Sequence, residues 1–159
     1  MRIDELTTEA EWREAFPVMR ELRPHLDEAT FLTLMRKIQH EGYRLLAARD
    51  GQGTIRALAG IAEMTNLYFG HHICVHELIT TASERSRGHG KALMDHVEAL
   101  ARDLGCDTVA LISGLQRADA HRFYEQKIGM MRTAYNFQKA MRPSIFTWPL
   151  VPQPAPPQG

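Results

Sequence analysis

Residues 85–91 read Arg85-Ser86-Arg87-Gly88-His89-Gly90-Lys91. The apolar stretch 73–81 precedes them. Leu93, Val97, Leu100 and Leu104 follow at spacings of four, three and four. That pattern predicts a strand, a tight loop and a strongly amphipathic helix. Two glycines one residue apart at a helix start leave backbone N–H groups uncovered by any Cβ. The helix N-terminus adds partial positive charge, and Arg85, Arg87 and Lys91 add full charges. The stretch therefore reads as a cradle for a pyrophosphate, and the unit around it as α/β.

The rest of the chain extends that reading. Upstream, residues 1–6 are expected as a first strand. Thr8 and Glu11 form a capping box for a helix carrying Trp12, Phe16 and Met19. Pro17 predicts a kink there, or the first position of a second short helix. Asp27 caps a helix with Phe31, Leu34, Met35 and Ile38 on one face, ending at Gly42. Residues 43–49 and 54–64 read as a hairpin joined by Asp50-Gly51-Gln52-Gly53, and 65–72 as a loop or hairpin. Downstream, Gly105 ends the amphipathic helix. Strands are expected at 107–113 and 133–140, with a short helix at 118–127 between them. The order predicts three layers around one mostly antiparallel sheet, with a right-handed crossover from 73 to 113. Residues 1–142 read as one domain. Residues 143–159 read as a proline-rich tail whose Ile145, Phe146 and Trp148 are available to a neighbour.

Composition narrows the function classes. The 159 residues carry 19 basic and 19 acidic side chains. This balance argues against a broad nucleic-acid-binding surface but leaves room for a local basic loop. Two cysteines, Cys74 and Cys106, make no disulfide framework, and a cytoplasmic setting is expected. No apolar run reaches the length of a membrane span.

Two familiar phosphate loops are excluded by residue. A Walker loop requires glycine where Arg85 stands and Ser or Thr where Ala92 stands. A dinucleotide fingerprint requires a third glycine where Leu93 stands. The remaining pattern, Arg85-x-x-Gly88-x-Gly90, resembles the acetyl-CoA loop of the GNAT superfamily of N-acetyltransferases. Glu77-Leu78-Ile79-Thr80 resembles that family's strand end. Ala120-x-x-x-Tyr124-Glu125 with Gly129-Met130 resembles its second signature, and Asn136-Phe137-Gln138-Lys139 its closing strand. The resemblance spans about residues 43–141. One departure is Arg117, where the family often has Asn.

The resemblance implies a mixed sheet with helices on both faces and acetyl-CoA as co-substrate. It implies that the strands at 73–81 and 107–113 splay apart. Backbone groups of Leu78, Ile79 and Thr80 would then hold the pantetheine arm, and Arg85, Ser86, Arg87, Gly88, His89, Gly90 and Lys91 the pyrophosphate. The expected acceptor is a small-molecule or peptide amine, and a homodimer is in keeping with the family.

Three chemical needs follow. For an acid that protonates the leaving thiolate, the motif position of Tyr124 favours it over a purely packing role. A backbone N–H near Ile79 serves the oxyanion. For the base, His76 and Glu77 compete. Neighbours on a strand point to opposite faces, so one of the two faces the substrate unless a bulge intervenes. His76 has the better intrinsic pKa for neutral pH. His72, Cys74 and His76 at two-residue spacing are a weak zinc pattern, because a straight strand holds them too far apart to converge; no metal is expected. The main alternative is a non-catalytic acetyl-CoA sensor of the same fold.

Overall fold

The structure, a computed structural model, describes residues 1–146. Five strands stand in sequence order: β1 (Arg2–Leu6), β2 (Tyr43–Arg49), β3 (Ile55–Asn66), β4 (Gly70–Thr80) and β5 (Thr108–Leu111). The first three pairings are antiparallel and β4–β5 is parallel. Helices α1 (Glu9–Leu22) and α2 (Glu28–Ile38) cover one face. Helix α3 (His89–Asp103) covers the other with α4 (Ala118–Arg122), which runs on into a π-helical turn, Phe123–Ile128. This is the expected three-layer α/β arrangement.

Each face has its own core. Trp12, Phe16, Met19, Phe31, Leu32 and Met35 pack on Leu45, Leu58 and Ile79. On the other side Leu93, Met94 and Val97 pack on Leu46, Ile61, Ile73 and Val75. The middle of the sheet beneath α3 is paved with small side chains: Ala48, Ala57 and Ala59 are fully buried there. Local signals explain the boundaries. Thr8 Oγ1 accepts from Glu11 N–H while the Glu11 carboxylate accepts from Thr8 N–H, the reciprocal capping box. Asp27 accepts from Thr30 N–H at 2.7 Å to start α2.

Several expectations are corrected. Helix α1 is continuous through Pro17, which lies on its exposed face; no second helix begins there. At 65–72, expected as a loop or hairpin, the hairpin forms: β3 reaches Asn66, β4 starts at Gly70, and the tip is turned by Asn66 Oδ1 accepting from Tyr68 and Phe69 N–H. β5 is four residues long rather than seven, because its pairing with β4 stops at Leu111. The expected strand at 133–140 does not form. β5 is the sheet edge, and residues 131–146 are all exposed with no strand beside them. Alternation predicts a side-chain pattern, but a strand exists only with a pairing partner. Of the proline-rich tail, residues 147–159, including Trp148, lie outside the described residues. Phe146 lies inside them and meets the His25 ring edge-on at 5.9 Å.

Proline at position 17 deprives the Arg13 carbonyl of its helical N–H donor on an exposed face. Pro17→Ala is expected to raise unfolding free energy by about 1–3 kcal/mol, read from urea denaturation; an unchanged midpoint would show that α1 is already adapted to the ring.

Candidate active site

The centre of the site is an irregularity in β4. Gly60 pairs with Glu77, yet the next residue, Ile61, pairs with Val75, so His76 is an extra residue with no partner on β3. Before this bulge Ile73 and Val75 point to the α3 side; after it Leu78 does. The alternation slips by one, and His76 and Glu77 both emerge on the α1–α2 face. Tyr43 stands there too, on the same face as Leu45. Its ring lies 6.1 Å from the His76 ring, and its hydroxyl donates to Glu77 Oε2 at 2.7 Å.

Glu77 is committed to holding this wall together. Arg23, at the end of α1, donates to Glu77 Oε1 at 3.1 Å and to the His76 carbonyl at 3.0 Å. Both Glu77 oxygens are thus engaged. A Cβ on Gly60 would lie 1.9 Å from Tyr43 Oη and 2.4 Å from Glu77 Oε2, so glycine makes room for that hydrogen bond. Tyr43 is half-buried, its hydroxyl beside the Glu77 carboxylate. Burial first, and that negative charge second, push its phenol well above the ordinary range. Nothing local in the sequence distinguishes Tyr43 from any strand tyrosine. Its role appears only once β2, β3 and β4 are in register.

The bulge also opens the sheet. β5 pairs with His72 to Val75 and no further, so from His76 onward the outer edge of β4 has no strand beside it. A cleft of about 370 Å³ occupies the gap. Its walls include Arg23 and His25 from the α1–α2 turn, His76 and Leu78 from β4, and Arg117 and Tyr124 from the far side. The cleft therefore joins the two faces of the sheet. Tyr124 is buried, and burial raises its phenol above the ordinary value while the Arg117 guanidinium partly offsets this. At neutral pH it stays protonated. Burial, and secondarily Glu77, likewise raise the Cys74 thiol, whose sulfur lies 3.9 Å from His76 Nδ1. A second hollow, about 420 Å³, lies between β1, β2 and α2 and contains neither His76 nor Tyr124.

Beyond the end of β4 lies the glycine loop. Ser86 and Gly88 both have positive φ, 64° and 87°. Gly88 is the N-cap of α3 and brings no side chain to cap it. The N–H groups of His89, Gly90 and Lys91 therefore point out of the first turn without helical acceptors. Left-handed backbone at Gly88 accounts for that glycine. At Gly90 a Cβ would meet only ordinary contacts, Thr80 Oγ1 at 3.4 Å and Phe123 at 3.6 Å, so the fold itself does not demand glycine there. Arg85 and Arg87 are exposed. His89 is turned inward, its Nε2 3.4 Å from Glu84 and its Nδ1 buried without a partner. Lys91 reaches along the helix to Asp95 at 2.6 Å. The loop suits a phosphorylated ligand through backbone N–H groups and exposed arginines, with His89 offering its main chain rather than its ring.

The profile of the acetyltransferase (GNAT) family matches residues 6–130. The chain belongs to that family. It is 41% identical over 140 residues to a Bacillus subtilis (strain 168) protein described as the uncharacterized N-acetyltransferase YhdJ, covering 87% of this chain and 98% of that one. Among solved structures it shares its fold with the aminoglycoside N-acetyltransferase AAC(6')-Iy in complex with CoA (TM-score 0.75, 16% identity, 89% of this chain and 95% of that one). It shares it also with a ribosomal-protein-alanine N-acetyltransferase from Brucella melitensis biovar Abortus 2308 (TM-score 0.71, 17% identity, 89% and 99%).

Within this GNAT fold, His76, Tyr124 and Leu78 line one cleft, while Glu77 sits behind it as an anchor. Arg117 reaches the same cleft, and of the turn 23–27 Arg23 and His25 rim it while Asp27 caps α2. Among the described residues, no group of three or more His, Cys, Asp or Glu is placed to hold a metal, and no helix is long and apolar enough to cross a membrane. His72 is buried and bonded to the Gly70 carbonyl rather than aimed at Cys74 or His76.

Gly60→Ala is expected to break the Tyr43–Glu77 hydrogen bond and lower stability by about 1–3 kcal/mol, the cost of overpacking; an unshifted thermal melt would disprove the steric account. The raised Tyr43 phenol makes a second expectation. The native state holds a proton that the unfolded chain releases near the ordinary value of 10.0. Stability is therefore full below pH about 10 and declines as pH rises above it. Denaturation measured from pH 8 to 11 checks this, and Tyr43→Phe should flatten the decline.

Proposed function

We propose that this acetyltransferase moves the acetyl group of acetyl-CoA to a primary amine by direct attack. The observation that carries this reading is the cleft through the sheet, with His76 and Tyr124 on its walls and the uncapped start of α3 beyond it. Acetyl-CoA supplies the thioester. Ser86 to Lys91, through main-chain N–H groups, and Arg85 and Arg87 through their charges, would hold its pyrophosphate. The open edge of β4 at Leu78, Ile79 and Thr80 offers main-chain partners to the pantetheine arm in the manner of an added strand.

His76 serves as the base. It takes the proton that the amine sheds as the C–N bond forms. An N–H near Ile79 faces the carbonyl oxygen as negative charge gathers there. The Tyr124 hydroxyl, kept protonated by burial, gives its proton to the sulfur as the C–S bond breaks. Glu77 positions rather than reacts, since Arg23 and Tyr43 occupy both its oxygens. The raised Cys74 thiol disfavours an acetyl-cysteine route, because the thiol and not the nucleophilic thiolate predominates. Both carboxylates near the cleft are engaged, Glu77 as above and Glu21 with Thr81 and Ala82. The acceptor that fits such walls is a single amine on a small molecule or peptide rather than a polycation.

A thermal melt with saturating acetyl-CoA should rise by several degrees. An amine panel scored by CoA thiol release should then show turnover that Tyr124→Phe lowers in kcat by about a hundredfold or more. No melting shift overturns the acetyl-CoA reading. A shift without turnover on any amine supports the sensor alternative, and an unchanged kcat in Tyr124→Phe removes the acid.

A further inference from the structure

The arginines that this fold draws out of water are matched to carboxylates, with one exception. Arg49 is buried and pairs with Asp4 and Glu14. Arg23, Arg44 and Arg56 are half-buried and pair with Glu77, Glu5 and Asp50. Arg117 is half-buried as well, yet it pairs with no carboxylate among the described residues. A cation partly withdrawn from water without a counter-charge is costly. Its backbone is nevertheless pinned in place. Arg117 N–H donates to the Gly114 carbonyl at 3.0 Å, the Arg117 carbonyl accepts from His121 N–H at 3.0 Å, and the His121 ring bonds the Gly114 carbonyl at 2.9 Å. The side chain lines the cleft on the wall opposite Arg23, His25 and His76, near enough to Tyr124 for its charge to act on the phenol.

The cofactor offers this guanidinium no partner. The negative charge of acetyl-CoA lies on its phosphates, which the glycine loop and Arg85 and Arg87 would meet at the start of α3. The pantetheine arm is a chain of neutral amides. The remaining candidate is the acceptor. On the reading that this cleft transfers acetyl groups to an amine, we propose that the acceptor also bears a carboxylate, as an amino acid does, and that Arg117 holds that carboxylate while His76 receives the proton of the amine. A planar guanidinium grips a carboxylate through two parallel N–H···O bonds, so one contact supplies both the missing counter-charge and a fixed orientation. Glu21, the carboxylate on the cleft wall, does not compete, because it accepts from the Thr81 hydroxyl and the Ala82 N–H. An asparagine at position 117 would offer a neutral amide and no such pairing.

Steady-state kinetics of the full chain at saturating acetyl-CoA test this, on a panel of α- and ω-amino acids each matched with its carboxamide. The expected result is at least one acid whose kcat/KM exceeds that of its carboxamide by about tenfold or more. In Arg117→Gln that ratio should fall to about one, through the KM of the acid more than through kcat. Arg117→Lys should keep part of it, having the charge without the fork. Acid and carboxamide used equally well overturn the proposal and leave acetyl transfer standing. Weaker CoA binding in Arg117→Gln with the acid preference kept assigns the guanidinium to the cofactor, and also overturns it. No turnover on any amine overturns the transfer reading and this proposal with it. If Arg117→Gln fails to fold, Arg117→Lys and the ratio in the unmodified chain still decide.

Discussion

The slip of register at His76 couples two events that a regular strand would keep apart. An unbroken β4 would alternate His76 and Glu77 between faces and could keep hydrogen-bonding β5 past Val75. The extra residue turns both side chains toward α1 and α2, and the pairing with β5 ends at the same point. One inserted residue thus makes both the opening in the sheet and the polar wall that faces it. The wall is then locked from behind. Arg23 bonds the His76 carbonyl and Glu77, Tyr43 bonds Glu77, and Gly60 leaves the space in which they meet. A bulge twists a strand and disrupts its ladder locally. These contacts fix which way this one turns.

How far the sequence reveals this depends on whether the deciding interaction is local. The capping box at Thr8 and Glu11, the Asp27 cap and the glycine start of α3 are set within four residues, and all are legible in order. So is the α/β class, because the periodicity around residues 73–104 is strong. The bulge is not legible. It is defined by the pairing of β4 with β3, whose residues lie some distance away in the chain. Glu77 is a plain acidic strand residue until Arg23 and Tyr43, 54 and 34 positions away, are found on it. The acidic position matches the family pattern, whereas its engagement by two donors is a property of packing.

The segment 131–142 shows the opposite failure. Its alternation is among the cleanest in the chain, yet the strand is missing from the single copy. Pattern specifies which side chains would share a face; it does not supply the neighbouring backbone. The π-helical turn at 123–128 is a similar case. Spacing predicts a helix through Lys127, but the widening of its last turn, within which Tyr124 joins the core beneath α3, is not written in that spacing.

The alanine pavement beneath α3 has a consequence for how the glycine loop behaves in time. Ala48, Ala57 and Ala59 leave room on the sheet into which Leu93, Met94 and Val97 of the helix pack, flanked by Leu46, Ile61, Ile73 and Val75. A helix interlocked in this way is resistant to rocking, and the direction of its first turn is inherited from the strands below. The N–H groups at its start are thereby held in a stationary array before any anion arrives. Their loss of orientational freedom belongs to folding rather than to binding, so an incoming phosphate meets donors already aligned.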